Sequence, residues 1–324
     1  MNILKKNGRL LIIIGLILIF LLTAMIQITG RNTKSNERKN VSLIVYGDDS
    51  ERWESMRQGA GLVCEEYDHD LSLITMLTEN DAAEQKEIID REIYDGSDAL
   101  IIAACNSSVI RDYINEKNLR IPVVFAETVE DLQSGMNDIA ASDYEMGYEL
   151  GEEIVKNESD IVTVAIISEN EKRDSVRLRE QGLRDAIEGK VGKTIEWSRN
   201  DYEKNVNTRV FIQRAIVSQA TDVIVTFDNS TTDALLDALE NLNKQSKVYA
   251  VSTSNKAVYN LYGGEIKALE YTDEFSMGYL AAMYALDGRV AEKKYGHERP
   301  EYRLVRKENM YDEDNQALLF PFVN

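Results

Sequence analysis

The stretch IAASDYEMGYELGEEIV, residues 139–155, decides the fold, because its residue pattern changes partway along. Residues 139–142 are small or apolar, which predicts a short strand. Met146, Leu150 and Ile154 then recur at helical spacing. The stretch therefore predicts a strand followed directly by a helix, the unit from which α/β folds are built.

Three residues within this stretch give finer expectations. Asp143 stands at the change of pattern, and its carboxylate suits the N-cap of a helix. Gly147 and Gly151 lie about one turn apart on the predicted helix. With no side chain at either position, the helix is expected to pack close to a sheet.

Strands and helices alternate on both sides of this stretch. Before it, strands are predicted at residues 41–46, 71–77, 99–104 and 121–126, with helices at 51–67, 82–94 and 109–116. After it, strands are predicted at 162–167, 194–198, 223–227, 248–252, 266–271 and 302–306, with helices at 174–187, 205–220, 231–242 and 275–286 and a short one from Lys256. Near-continuous apolar strands separated by helices predict two α/β units, each with a parallel sheet covered on both faces.

Composition excludes several classes of function. The net charge is −19, and because residues 1–39 hold seven Lys or Arg and one Glu, the rest of the chain carries −25. So acidic a surface argues against a nucleic-acid partner. Cys64 and Cys105 have no metal-binding spacing and are predicted to be core residues, and His69 and His297 have no metal-type partner nearby in sequence. We expect no metal and no cofactor.

The first 40 residues predict a membrane anchor. Residues 10–26 are almost wholly apolar and can be extended to residue 29, close to the roughly 20 residues that span a bilayer. Residues 1–9 would form a short cytoplasmic tail, 10–29 the transmembrane helix and 30–40 a stalk. A cleaved signal peptide is the alternative, but its apolar core is usually shorter and it ends in a small-x-small site.

Several local sequences resemble the type I periplasmic sugar-binding proteins of the ribose-binding kind, which are related to the ligand domains of lactose-repressor-type regulators. These sequences are IPVVF (121–125), IAASDYEMGYELGEEI (139–154), DSVRLREQGLRDAI (174–187), GGEI (263–266), MGYLAA (277–282) and VRKEN (305–309). The resemblance runs from about Asn40 to the C-terminus. Where the regulators carry a helix-turn-helix, this chain has the predicted anchor.

The resemblance implies a type I periplasmic-binding fold of two Rossmann-like lobes that hold a small ligand between them. The N-terminal lobe would comprise residues 41–142 and 273–298, and the C-terminal lobe residues 143–272 and 301–324. Three crossings would join the lobes, near Ser142, at Tyr271–Thr272 and at residues 298–301.

Polar residues at the carboxyl ends of the predicted strands form the candidate ligand site, since ligands of open parallel sheets bind at that edge. They are Asp49, Ser50, Asn106, Glu127, Glu169, Asp228, Ser252 and Thr272, with Ser142 at the first crossing. If the carboxylates share one cleft, they favour a ligand with hydroxyls or an amine over an anion. Taken singly, each carboxylate could equally be a solvated loop residue or a helix cap.

Two further site residues are implied by the resemblance. Trp53 lies where the family places an aromatic that stacks on a sugar ring, and Arg177 matches a family arginine on the first long helix of the second lobe. The alternatives are a core tryptophan and a surface arginine. The chain departs from the sugar-binding pattern at Thr128, Asp228, Ser252 and Thr272, so the resemblance leaves the ligand's identity open.

The leading functional hypothesis is a bacterial, single-pass membrane protein whose extracytoplasmic domain closes around a sugar or similar small polar ligand. The closed form would be presented to the permease of an ABC transporter or to a sensor histidine kinase. An enzyme is the less favoured alternative, because the chain has no GxGxxG after a strand, no GxxxxGK[ST], no GxSxG and no HExxH. A ligand-free interaction or signalling module on the same fold is a third reading.

Overall fold

The computed structural model describes residues 39–47, 50–159, 161–199, 206–296 and 298–320. The predicted tail, anchor and nearly all of the stalk lie outside these residues. None of the helices described is both long enough and apolar enough to cross a membrane. Residues 40–324 form one compact unit, and it contains two sheets.

The N-terminal lobe is a five-stranded sheet with the order β2-β1-β3-β4-β5. Its strands are β1 (Lys39–Val45), β2 (His69–Thr75), β3 (Ala99–Ile102), β4 (Val123–Ala126) and β5 (Asn137–Ile139). Its helices are α1 (Ser50–Glu66), α2 (Ala82–Tyr94), α3 (Ser107–Lys117) and, from much later in the chain, α9 (Glu274–Tyr295). The pairs β1–β3, β3–β4 and β4–β5 are parallel.

The C-terminal lobe is a six-stranded sheet with the order β11-β10-β9-β8-β6-β7. Its strands are β6 (Thr163–Ile167), β7 (Lys193–Trp197), β8 (Val223–Thr226), β9 (Lys247–Val251), β10 (Ile266–Thr272) and β11 (Tyr302–Val305). Its helices are α4 (Asp143–Asn157), α5 (Asp174–Ile187), α6 (Thr208–Ser218), α7 (Asn229–Leu242), α8 (Asn255–Gly263) and α10 (Glu313–Leu319). All its strand pairs are parallel except β10–β11.

Each sheet is buried because its central strands are apolar on both faces. Strands β3 and β4 are buried at every position, and so is β8. Helices α1 and α9 pack against each other in the N-terminal lobe, and α4 and α5 do so in the C-terminal lobe. The prediction of two α/β units with helix-covered parallel sheets is confirmed, whereas the antiparallel direction of β11 and the short helix α10 were not anticipated.

Three expectations about the stretch 139–155 were wrong. Helix α4 begins at Asp143 itself, so Asp143 is not the N-cap, and its carboxylate instead accepts from Arg179 Nε at 2.7 Å. Gly147 lies against another helix rather than a sheet, because a Cβ there would overlap the backbone oxygen of Arg179 on α5. The strand is also shifted, since β5 ends at Ile139.

Candidate functional site

The carboxyl ends of the central strands of both sheets lie in a cleft between the lobes. The chain passes from one lobe to the other after β5, after β10 and before β11. Glu127 follows β4, and Asp228 follows β8. Both carboxylates are almost completely buried, with exposed fractions of 4% and 5%, so the ends of these strands meet a closed interior rather than open solvent.

An inner network of four polar side chains, Tyr46, Arg52, Glu127 and Glu274, fills the N-terminal side of the cleft. Arg52, near the start of α1, donates through Nε to Glu274 at 2.8 Å and through Nη1 to the Tyr46 hydroxyl at 3.0 Å. Its Nη2 forms a short ion pair with Glu127. The Tyr46 hydroxyl donates to the Glu127 carboxylate at 2.9 Å. One guanidinium therefore connects β1, β4 and the start of α9.

The local backbone holds this network in place. Glu127 has φ +85°, a left-handed conformation that is strained for a residue with a side chain. Its amide donates to Ile139 O at 2.9 Å, which ties the loop after β4 to the end of β5. The Arg52 guanidinium also lies 4.4 Å from the centroid of the Trp53 ring, a cation–π contact. The strained backbone of Glu127 is thus held by the ion pair of its side chain with Arg52 and by the hydrogen bond of its amide to β5.

Burial and charge shift the pKa values of the two acids of the network in opposite directions. Burial alone would raise the pKa of Glu127, but the guanidinium groups of Arg52, Arg173 and Arg179 outweigh it and hold the pKa below its ordinary value. For Glu274, burial outweighs Arg52, and the nearby Glu127 adds to it, so the pKa rises to about 7. Glu274 Oε2 is buried and has no hydrogen-bond partner among the described residues.

Arg173, the bridging arginine, enters the cleft from the C-terminal lobe. It lies just before α5 and is only 2% exposed. Its guanidinium is 3.1 Å from Glu79 and 3.6 Å from Asp228, and its centre is 4.3 Å from the centroid of the Tyr46 ring. Glu79 and Tyr46 belong to the N-terminal lobe and Asp228 to the C-terminal lobe, so this side chain contacts both.

Asp228 is placed by the start of α7. As the N-cap of that helix, it accepts from Thr231 N at 2.8 Å and from Asn170 Nδ2 at 3.0 Å. Burial tends to raise its pKa, but Arg173 and these hydrogen bonds outweigh it and lower the pKa. Asp228 therefore remains an anion that faces the bridging arginine.

The lip of the cleft, by contrast, is closed by a group that water reaches: Arg177, Glu130 and Asp174. Arg177 pairs with Glu130 across the lobes and with Asp174 on its own helix, and it is 39% exposed on its side chain. The Glu130 amide donates to Asp174 Oδ2 at 2.9 Å. These contacts lie at the rim, away from the inner network.

A separate hinge cavity of about 680 Å³ opens beside the second crossing. Helix α1, the end of β10, the start of α9 and helix α10 line it, through Arg52, Thr272, Asp273, Glu274, Phe275 and Leu319 among others. Arg52 and Glu274 thus belong to the inner network and also line this cavity.

Several sequence-predicted site residues are not members of the inner network. Trp53 is fully buried and donates from Nε1 to Tyr46 O at 2.9 Å, which makes it part of the N-terminal core. Asn106 caps α3, and Glu169 pairs with Arg199 at 2.8 Å. Arg177 lies on the lip. Their ligand-binding roles stay predictions.

Three further predicted residues lie at the hinge or near the end of β9. Thr272 is buried and lines the hinge cavity, and Ser142 is half-buried just before α4 without making a side-chain cap. Ser252 donates to Asn229 Oδ1 at 3.0 Å. Asp49 and the side chain of Ser50 are outside what the structure describes.

The structure also brings in residues that the strand-end argument missed, namely Tyr46, Arg52, Arg173 and Glu274. Tyr46 directly follows β1, so strand-end position could have identified it. The two arginines lie near helix starts, and their long side chains reach the cleft from positions that spacing alone does not single out. Within the described residues, no group of three or more His, Cys, Asp or Glu side chains is arranged to hold a metal ion.

The comparisons with known proteins agree with this architecture. A family model described as a periplasmic binding protein domain matches residues 41–291. A solute-binding protein of an ABC transporter from Agrobacterium vitis with bound D-fucose has a TM-score of 0.77 and 15% identity, covering 87% of this chain and 100% of that one. A carbohydrate transporter solute-binding protein from Agrobacterium radiobacter with D-arabinose has a TM-score of 0.74 and 17% identity, covering 88% and 100%.

A third similar structure is the XylFII–LytSN complex, with a TM-score of 0.69 and 15% identity, covering 84% of this chain and 98% of that one. At these identities the three structures show a shared fold. No curated protein sequence matches the chain. The family match extends over most of the chain and over elements of both lobes, so the chain belongs to the periplasmic binding protein domain family.

Proposed function

We propose that this chain is a solute-binding protein whose two lobes close around a sugar or a similar small polar ligand. The observation that carries the proposal is the cleft itself, where buried carboxylates and guanidinium groups from both lobes converge. Carboxylates accept hydrogen bonds from hydroxyls, guanidinium groups donate to ring and hydroxyl oxygens, and an aromatic ring offers an apolar face. A polyhydroxylated solute complements all three.

The ligand class also has support from the similar structures, two of which hold D-fucose or D-arabinose. Glu127 and Asp228 are the residues to which we assign hydrogen bonding with the ligand, because each is buried, ionised and placed at a strand end. Contacts made with both lobes would favour the closed state, which a partner protein could then recognise.

The partner and the location form the second part of the proposal. The apolar segment 10–29 would anchor the chain in a bacterial membrane, with the two-lobed domain on the extracytoplasmic side. A permanently anchored receptor stays beside a membrane partner, either an ABC transporter permease or a sensor histidine kinase. One of the similar structures is a complex, XylFII–LytSN. It supports the proposal that this chain also binds a partner protein. We assign no enzymatic activity.

Thermal unfolding of a fragment comprising residues 40–324 tests the ligand proposal. Monosaccharides, polyols, amino acids and polyamines would be added in turn, since a ligand at a hundred times its Kd stabilises the folded state by about 2.7 kcal/mol. We expect a sugar or polyol to raise the Tm by a few degrees, and Asp228→Asn to abolish that shift. The matched control is Asp174→Asn on the lip, which should retain it. If no compound raises the Tm, solute binding is refuted.

A second candidate function, a signalling module that binds no solute, is favoured by one observation. The bridging arginine already lies between the lobes at the place where a ligand would contact Tyr46, Glu79 and Asp228. The panel experiment separates the two candidates, because such a module would show no ligand-dependent change in Tm and would still bind its protein partner.

A further inference from the structure

Arg173 is coordinated in the cleft much as a bound solute would be. Its guanidinium packs on the ring of Tyr46 and pairs with one carboxylate from each lobe, Glu79 at 3.1 Å and Asp228 at 3.6 Å. An aromatic face with flanking carboxylates is a recognised arrangement for a planar cation. The side chain is 2% exposed, so the two lobes together enclose it.

The segment that carries Arg173 is docked on the N-terminal lobe through its backbone as well. Ser107 N donates to Lys172 O at 3.0 Å, and Asp174 N donates to Ser107 Oγ at 2.9 Å. A third contact between the lobes connects Ser230 Oγ to Glu79 Oε1 at 2.9 Å. Arg173 is therefore the centre of a set of direct contacts that join the lobes.

We propose that Arg173 is an internal ligand that holds the lobes closed in the absence of any solute. The inference goes beyond the proposed function, which concerns the solute-bound form. An internal ligand of this kind would compete with a solute for the same contacts. To reach Tyr46 and Glu79, the solute must take the place of the guanidinium, so Arg173 decides which solutes enter the site and sets the population of the closed state.

Electron-spin distance measurements on the full-length chain in detergent, without solute, test this proposal. Spin labels would be attached at Glu87→Cys on α2 and Glu240→Cys on α7, one exposed position on each lobe. The native Cys64 and Cys105 are both buried, and burial raises the pKa of each thiol to about 11, so they should not be labelled. We expect one short-distance population in the unsubstituted chain.

Arg173→Ala should shift this distribution to longer and broader distances. Millimolar ethylguanidinium should restore the short distance, because it supplies the missing group, whereas ethylurea, which has a similar shape but no charge, should not. Arg173→Met, which keeps the apolar stem, is the second variant in case the alanine variant fails to fold. Arg177→Ala, four residues further along the chain and on the lip, is the matched control and should keep the short distance.

Three results would overturn the proposal. They are a long distance in the unsubstituted chain without solute, a short distance in both Arg173 variants, and a long distance that ethylguanidinium does not shorten. Because no solute is present, none of these results bears on the thermal-unfolding test of solute binding. The internal ligand and the solute-binding function can therefore fail independently.

Discussion

The inner network and the lip of the cleft use the same chemical pair, an arginine with a carboxylate, in opposite environments. In the inner network, the side chains of Arg52 and Glu127 are 8% and 5% exposed, whereas on the lip those of Arg177 and Glu130 are 39% and 46% exposed. Water screens the second pair and hardly reaches the first. The same pairing therefore implies unequal energies, and an arginine–carboxylate contact must be weighed by its burial before its contribution to stability is judged.

The largest effect is expected when the inner network loses one partner. Glu127→Ala would remove one carboxylate partner from the buried Arg52 guanidinium, and breaking a buried pair in this way costs roughly 3–5 kcal/mol. Urea unfolding of residues 40–324 measures the loss. The double variant Arg52→Met with Glu127→Leu is the control, since replacing both charges with apolar groups should recover most of the stability. If the single variant lost less than 1 kcal/mol in free energy of unfolding, the buried pair would contribute no more than an exposed pair on the lip, which contradicts the prediction.

The next effect is a pH dependence carried by Glu274. Burial raises its pKa in the folded state from 4.5 to about 7, so the folded protein binds a proton that the unfolded chain has released. Stability is thus fully present below about pH 4.5 and declines as the pH rises through 7, by about 3 kcal/mol at 1.36 kcal/mol per pKa unit. Urea unfolding at a series of pH values should show this decline.

Glu274→Gln provides the control for that dependence. The amide is neutral at every pH, so this variant should lose the decline between about pH 4.5 and 7 and keep whatever slope other groups contribute. An unchanged profile in Glu274→Gln would mean that the buried carboxylate is ionised in the folded state throughout, and that Arg52 offsets its burial completely.

An intermediate pair, Glu169 with Arg199, should give an intermediate effect. The side chain of Arg199 is 17% exposed and that of Glu169 11%. Burial raises the pKa of Glu169, with Arg199 opposing it. We expect Glu169→Ala to cost about 1.5–3 kcal/mol in urea unfolding, as for a hydrogen bond to a charged group. If Glu169→Ala lowered the free energy of unfolding as much as Glu127→Ala, burial would not determine how much each pair contributes to stability.

The sequence predicted the framework of the cleft better than its contents. Apolar strand runs and helical spacing determined the two sheets, and Glu127 and Asp228 follow β4 and β8 as the pattern required. Strand β11 was predicted, but its antiparallel direction was not, since strand direction depends on where the third crossing places the chain. Local pattern contains no information on that path.

Long side chains account for most of what the sequence did not reveal about the site. Arg173 and Arg177 are four residues apart, yet the first is enclosed between the lobes and the second lies on the lip. A helix start, rather than a strand end, places Arg173, and its partners come from residues 79 and 228. Such a cluster is assembled by tertiary contacts between distant segments, so neither spacing nor composition could rank one arginine above the other.

The smallest effect is expected at the lip. Arg177→Ala removes an exposed pair with Glu130 and a neighbouring one with Asp174, which together should contribute less than 1 kcal/mol. Because solvent surrounds the pair, its contribution should also fall as salt rises from about 0.01 to 1 M, where the Debye length shrinks from about 30 to 3 Å. Urea unfolding of the variant and the unsubstituted fragment at both salt concentrations measures this difference.

The cost of Glu127→Ala should persist at high salt, since ions do not enter the inner network. A loss above 2 kcal/mol for Arg177→Ala, unchanged by salt, would show that the exposed pair on the lip contributes as much to stability as a buried pair does.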